Sequence, residues 1–83
     1  TMETKEQIFQ ALKTIMIELF ELEESDITLQ SSLNDELDLD SIDAIDMVVK
    51  LQEMTGKKVK PEDFKTVRIV NDIVDVVYKL TQE

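Results

Sequence analysis

Apolar residues that return every three or four positions set the character of this chain, and little in it can interrupt them. Ile8, Leu12, Ile15 and Leu19 follow one another at spacings of four, three and four, with Phe9, Met16 and Phe20 one step along. That is the stripe of an amphipathic helix. Across 83 residues there is one glycine, Gly56, and one proline, Pro61. A β-sandwich or barrel needs frequent turn signals and alternating β-branched residues, so the pattern predicts an all-α chain forming one domain over residues 1–83. Thr4 with Gln7 offers a capping box, which starts the first helix near Glu3 and carries it to about Glu21.

Between Leu22 and Asp40 the helical period fails, while Ser25, Asp26, Thr28, Ser31, Ser32 and Asn34 accumulate. Their side chains bond to nearby backbone and favour loops and caps. The segment keeps Ile27, Leu29, Leu33, Leu37 and Leu39, so an ordered loop packed across the helix ends is expected, with one turn of helix near Ser32 to Leu37. A loop of this length in a small domain generally has a function. Helix two is predicted to start at Asp40 or Ser41, run through Met47, Val48 and Leu51, and stop at Gly56, which can take a left-handed C-cap without strain. Pro61 then opens a short third helix through Phe64. Val70, Ile73, Val74, Val77 and Leu80 mark the last helix. The expected fold is thus a small four-helix bundle with three principal helices, one short third helix and a long loop between helices 1 and 2.

Charge and missing residue types remove whole classes of function. With 19 Asp plus Glu against 9 Lys plus Arg, the net charge is −10. Such a chain repels phosphate backbones and anionic lipid, so no nucleic-acid partner is expected, and its docking partners should be basic. There is no cysteine and no histidine, which excludes Cys/His zinc sites, disulfides and any Ser-His-Asp or Cys-His catalytic set built from this chain alone. Apolar runs fall far short of the roughly 20 residues that span a bilayer, and no secretory start is seen, so a cytoplasmic monomer is expected.

One serine occupies a special place. Ser41 lies where the long loop gives way to helix two, with Asp40 before it and Asp43 two positions after. An exposed hydroxyl is expected there. Asp40 or Ser41 can serve as the N-cap, and Asp43 suits the positive end of the helix dipole. A hydroxyl with no catalytic base beside it cannot attack unaided, but another enzyme can modify it. Along helix two Asp43, Asp46 and Glu53 fall near one face, interrupted by Lys50, with Ile42, Ile45 and Val49 flanking it and Met47, Val48 and Leu51 pointing inward. Acid beside an apolar rim is a surface that a basic, transient partner can use.

The run Leu37-Asp38-Leu39-Asp40-Ser41-Ile42-Asp43 resembles the acyl carrier protein family, whose hallmark is Asp-Ser-Leu and an acidic residue at the start of the second of four helices. Val59, Phe64, Val67 and Val70 to Asp75 fall without a gap on that family's third and fourth helices, so the likeness covers nearly the whole chain. The resemblance implies 4′-phosphopantetheine attached to Ser41 by a phosphopantetheinyl transferase using coenzyme A and magnesium. The arm's thiol then carries acyl groups as thioesters to acyl-loading and synthase enzymes of fatty acid, polyketide or specialised lipid biosynthesis. The carrier would itself be non-catalytic. Asp40 would help orient the magnesium-bound coenzyme A, and Ile42, Asp43, Ile45, Asp46, Val49 and Glu53 would face partners. Several positions depart from the family: Asp38 where glycine is common, Thr55 where an aromatic is frequent, Phe64 in place of a small residue, and Arg68-Ile69 in place of the usual threonine cap. Phe64 would either line a chain-sheltering cavity between helices or fill it.

Two other classes compete. Asp35, Glu36, Asp38 and Asp40 cluster in one loop, but a calcium loop counted from Asp38 puts Asp43 where glycine should turn the chain, so no metal site is assigned. An acidic interaction module without a prosthetic group is the other alternative, and within the carrier class an aminoacyl or peptidyl carrier is the nearest rival.

Overall fold

Thr4 and Gln7 close the expected reciprocal cap: the Thr4 hydroxyl accepts from the Gln7 N–H at 3.2 Å, and Gln7 Oε1 accepts from the Thr4 N–H at 3.1 Å. Helix α1 follows over Lys5–Phe20. The computed structural model describes residues 4–82, so Glu3, the expected helix start, lies outside the described residues. Two further helices complete the set, α2 over Ser41–Thr55 and α3 over Val70–Thr81, with 3-10 turns at Glu24–Asp26 and Pro61–Phe64. The described residues are therefore all-helical with three α-helices, and the short element Pro61–Phe64 is a 3-10 turn, not an α-helix. Proline opens it and its amides never reach the i→i+4 pattern.

Helix α1 packs on both α2 and α3. Its buried stripe is Ile8, Leu12, Ile15 and Met16. Leu19, expected in that stripe, is exposed, because the helix ends at Phe20 and the core-facing turn closes through Met16 and the half-buried Phe20. Met47 and Leu51 enter the core from α2, and Val70, Ile73, Val74 and Val77 from α3. A surface tie joins α1 to α3, where Lys5 Nζ lies 3.0 Å from Asp75 Oδ1 and sits over the Tyr78 ring.

The α1–α2 loop is part of the core. Ile27, Leu37 and Leu39 are buried with the helices, and each fully buried aliphatic side chain contributes roughly 1.5–3 kcal/mol, enough to help offset the ordering of the loop. Ser31, a buried polar residue of the loop, is fully used: its hydroxyl donates to Asp26 C=O at 2.9 Å and accepts from the Thr28 N–H at 2.9 Å. The helical turn expected near Ser32 to Leu37 is a single hydrogen-bonded turn. Glu36 and Leu37 N–H groups both donate to Ser32 C=O, and Ser32 Oγ accepts from the Asp35 N–H.

The loop also caps α3. Ile69 stands at the N-cap and has no side-chain acceptor, so the first amides of α3 need partners from elsewhere. Val70 N–H donates to Ser31 C=O at 3.1 Å and Asn71 N–H to Leu29 C=O at 2.8 Å. Asp72 Oδ2 accepts from the Arg68 and Ile69 N–H groups at 2.9 and 3.1 Å. Leu33 N–H returns a bond to Arg68 C=O at 3.0 Å, and Ser32 and Ile69 form an isolated antiparallel bridge.

Among the described residues three take left-handed backbone: Glu21, which caps α1 at φ 55°, Asp38 and Gly56. Gly56 caps α2 at φ 68°, as expected. Asp38, where the resemblance expects glycine, holds φ 55°: a side chain there meets the left-handed penalty, which aspartate bears better than most residues. Asp38→Gly is expected to raise stability by about 0.5 kcal/mol and Asp38→Val to lower it by about 1–2 kcal/mol, as read by urea unfolding. Equal midpoints for the three proteins would contradict the strain assigned to this turn.

Candidate functional site

Asp40, not Ser41, is the N-cap of α2. Its Oδ1 accepts from the Ile42 N–H at 3.0 Å and the Asp43 N–H at 3.1 Å, and Asp43 Oδ2 accepts from the Asp40 N–H at 2.9 Å. This reciprocal carboxylate box fixes the direction in which the loop enters the helix. Ser41 is then the first helical residue. Its side chain is exposed, and its Oγ makes no hydrogen bond among the described residues. The cap that could have consumed the serine hydroxyl is supplied by its neighbour.

The amide hydrogen bonds, that from Asp43 first, hold the Asp40 carboxyl below the usual carboxylate range. Asp72 is lowered in the same way by the Arg68 and Ile69 amides, with a smaller contribution from the Arg68 charge. With Oδ1 accepting from two amides, the Asp40 carboxylate is a poor base for its neighbour.

Beside Ser41 opens a cleft of about 270 Å3. Leu33, Leu39, Ala44, Met47, Val67 and Ile73 give it apolar walls, and Phe64 stands in the lining without closing it. Asn34, Asp40, Ser41 and Arg68 supply the polar part. An exposed, uncommitted hydroxyl at the edge of an apolar cleft fits a long flexible group esterified at Ser41.

The residues expected to face partners lie along the outer side of α2. Ile42, Ile45 and Val49 are 68%, 63% and 52% exposed. Asp46 and Glu53 are exposed among them, whereas Asp43 is half-buried and one of its oxygens is spent on the Asp40 amide. Met47 and Leu51 are buried and Val48 is half-buried against the core, as expected. Sequence reasoning did not find Asn34 or Leu33 as lining residues, because the loop reaches the cleft only through its tertiary bonds. For Arg68 a signal was present: it is the single arginine of the chain and belongs to the Arg68-Ile69 pair that stands in place of the threonine cap the resemblance expects.

Comparisons with known proteins give the family. A family model described as the phosphopantetheine attachment site matches residues 10–77. The chain is 46% identical over 77 residues to acyl carrier protein 2 of Ralstonia nicotianae, covering 93% of this chain and 95% of that protein. It is 34% identical over 73 residues to the acyl carrier protein of Coprothermobacter proteolyticus, covering 88% and 89%. The solved structure of the acyl carrier protein from Enterococcus faecalis matches with a TM-score of 0.73 at 27% identity, over 93% of this chain and 98% of that one. The chain belongs to the acyl carrier protein family, and 4′-phosphopantetheine is the prosthetic group of that family.

Both lowered aspartates have the same sign of linkage. Each binds protons more weakly folded than unfolded, so its stabilisation is present at neutral pH and is lost as pH falls below about 4. Asp40→Asn keeps an acceptor for the cap but not the charge. At pH 7 it is expected to melt a few degrees below the parent, and the gap should narrow progressively as the pH falls below about 4. A gap of constant size from pH 7 to pH 3, measured by circular dichroism melting, would refute the charged-cap account.

Proposed function

We propose that this protein is an acyl carrier whose 4′-phosphopantetheine arm is esterified to Ser41. The observation that carries the assignment is the division of labour at the start of α2: Asp40 takes the cap, and the serine hydroxyl is left exposed and uncommitted. When bound, the prosthetic group supplies the thiol on which acyl groups travel as thioesters.

The chain's own residues prepare the serine and do no more. Attachment forms a bond from Ser41 Oγ to the phosphorus of coenzyme A and breaks the pyrophosphate linkage, releasing the nucleotide part. The hydroxyl proton must leave to a base of the transferase, since the chain has no histidine and the Asp40 carboxylate is held by amides. Magnesium brought with coenzyme A offsets the repulsion between its phosphates and a surface of charge −10, and Asp40 helps to orient that ion. The protein is thus non-catalytic, a substrate of its partners.

Ile42, Ile45 and Val49 give those partners apolar surface to bury, and Asp43, Asp46 and Glu53 give the charge that draws basic patches and sets the docking direction. The apolar cleft behind Ser41 is open to the first part of a chain folded back on the arm, with Phe64 shaping its depth. Within this reading the Pro61–Phe64 turn is the counterpart of the family's short third helix. The chain acts as one monomeric domain in the cytoplasm; no helix among the described residues is long and apolar enough to cross a membrane. Meromycolate extension acyl carrier proteins of mycobacteria are among its relatives, and lipid or polyketide assembly is the class of pathway it would serve.

Incubation with coenzyme A, magnesium and a phosphopantetheinyl transferase of broad specificity, followed by intact mass measurement, tests the assignment. One phosphopantetheine should be gained by the parent and none by Ser41→Ala. A parent that gains nothing favours the interaction module, and a Ser41→Ala protein that still gains one overturns the site.

A further inference from the structure

The phosphate of an arm attached at Ser41 cannot leave its neighbourhood, because one ester bond holds it to the serine oxygen whatever the rest of the arm does. Its surroundings are hostile to it. Asp40 adjoins Ser41 in the chain and lines the same cleft, Asp38 and Asp43 lie within three positions, and the chain as a whole is at −10. Among the residues lining that cleft a single one is cationic, Arg68.

Arg68 is held at both of its ends. Its main-chain N–H is accepted by Asp72 Oδ2 at 2.9 Å, and its C=O accepts from the Leu33 N–H at 3.0 Å, which fixes the residue between the long loop and α3. Its guanidinium is anchored as well: Nη1 donates to the Lys65 and Val67 carbonyls at 3.2 and 3.0 Å. Among the described residues no hydrogen bond is made by Nε or Nη2, so one edge of the planar fork keeps its donors. A guanidinium edge matches two oxygens of a phosphate, and an arginine already positioned by its backbone gives up less side-chain freedom on binding than a lysine would.

Resting on the attachment at Ser41 argued above, we propose that Arg68 is a positioning residue for the arm: its guanidinium holds the phosphodiester on Ser41 and so sets the arm toward the apolar cleft and away from the acidic face of α2. A lysine keeps the charge but loses the two-pronged geometry.

Because Arg68 is the chain's one arginine, nitrogen-15 arginine labelling gives a single Nε–H signal with no assignment ambiguity. The full chain is compared before and after arm attachment, which intact mass verifies. The Nε–H resonance is expected to move, its exchange with solvent is expected to slow by about fivefold, and added salt should reverse part of both changes. The phosphorus-31 resonance of the arm should shift in Arg68→Gln and shift less in Arg68→Lys. Lys60→Gln, which removes the same charge away from the cleft, should leave it in place. Circular dichroism of each variant checks that the helices persist, and Arg68→Lys keeps the test decisive if Arg68→Gln unfolds. An Nε–H signal unchanged by arm attachment, or one that responds only once an acyl group is loaded, overturns the proposal while leaving Ser41 as the attachment site. A parent chain that accepts no arm overturns both.

Discussion

The bonds between the long loop and the start of α3 are the constraint on which the rest of this molecule depends. Helix α3 begins with Ile69 at its cap and therefore with amides that its own side chains cannot satisfy. Leu29 and Ser31 carbonyls take the Asn71 and Val70 amides, while Leu33 and Arg68 are joined through their main chains. A segment with little regular structure is thereby tied to α3, and its three buried aliphatics complete the core. The loop then delivers Asp38, in its left-handed turn, and Asp40, in its cap, to the start of α2.

That chain of causes ends at a hydroxyl. Asp40 satisfies the first amides of α2, so Ser41 has no structural duty and projects its oxygen outward. The same loop and the segment after the second 3-10 turn both line the cleft next to it. Stability and presentation are supplied by the same few bonds, and loosening the loop would disturb the serine's setting as well as the core. The acidic and apolar outer side of α2 lies beyond these constraints.

Much of this was legible in the sequence where the information is local. Thr4 with Gln7, Gly56, Pro61 and the three- to four-residue spacing of Ile8, Leu12 and Ile15 each act through neighbours in the chain, and each element was placed from them. Ser41 and its acidic neighbours were found by their position at a period break. The exposure of Leu19 was not legible, since it depends on where α1 stops against its packing partners. Neither was the capping of α3: Ile69 looks like a missing cap until the carbonyls of Leu29 and Ser31, about forty residues earlier, are brought to it. The cleft and the place of Arg68 in it are products of that same long-range pairing. Asp38 lies between these cases: its departure from glycine was visible, and its meaning waited on a backbone angle.

The most direct measurement of the central claim is native-state hydrogen exchange, read by NMR at the amides of Leu33, Val70 and Asn71. If the loop is a fixed part of the fold, these three exchange only through the opening that also exposes core amides such as those of Leu12 and Ile73. If they exchange at the rate of unprotected amides while the helix cores stay protected, the loop is not held as described and cannot be what sets Ser41 in place.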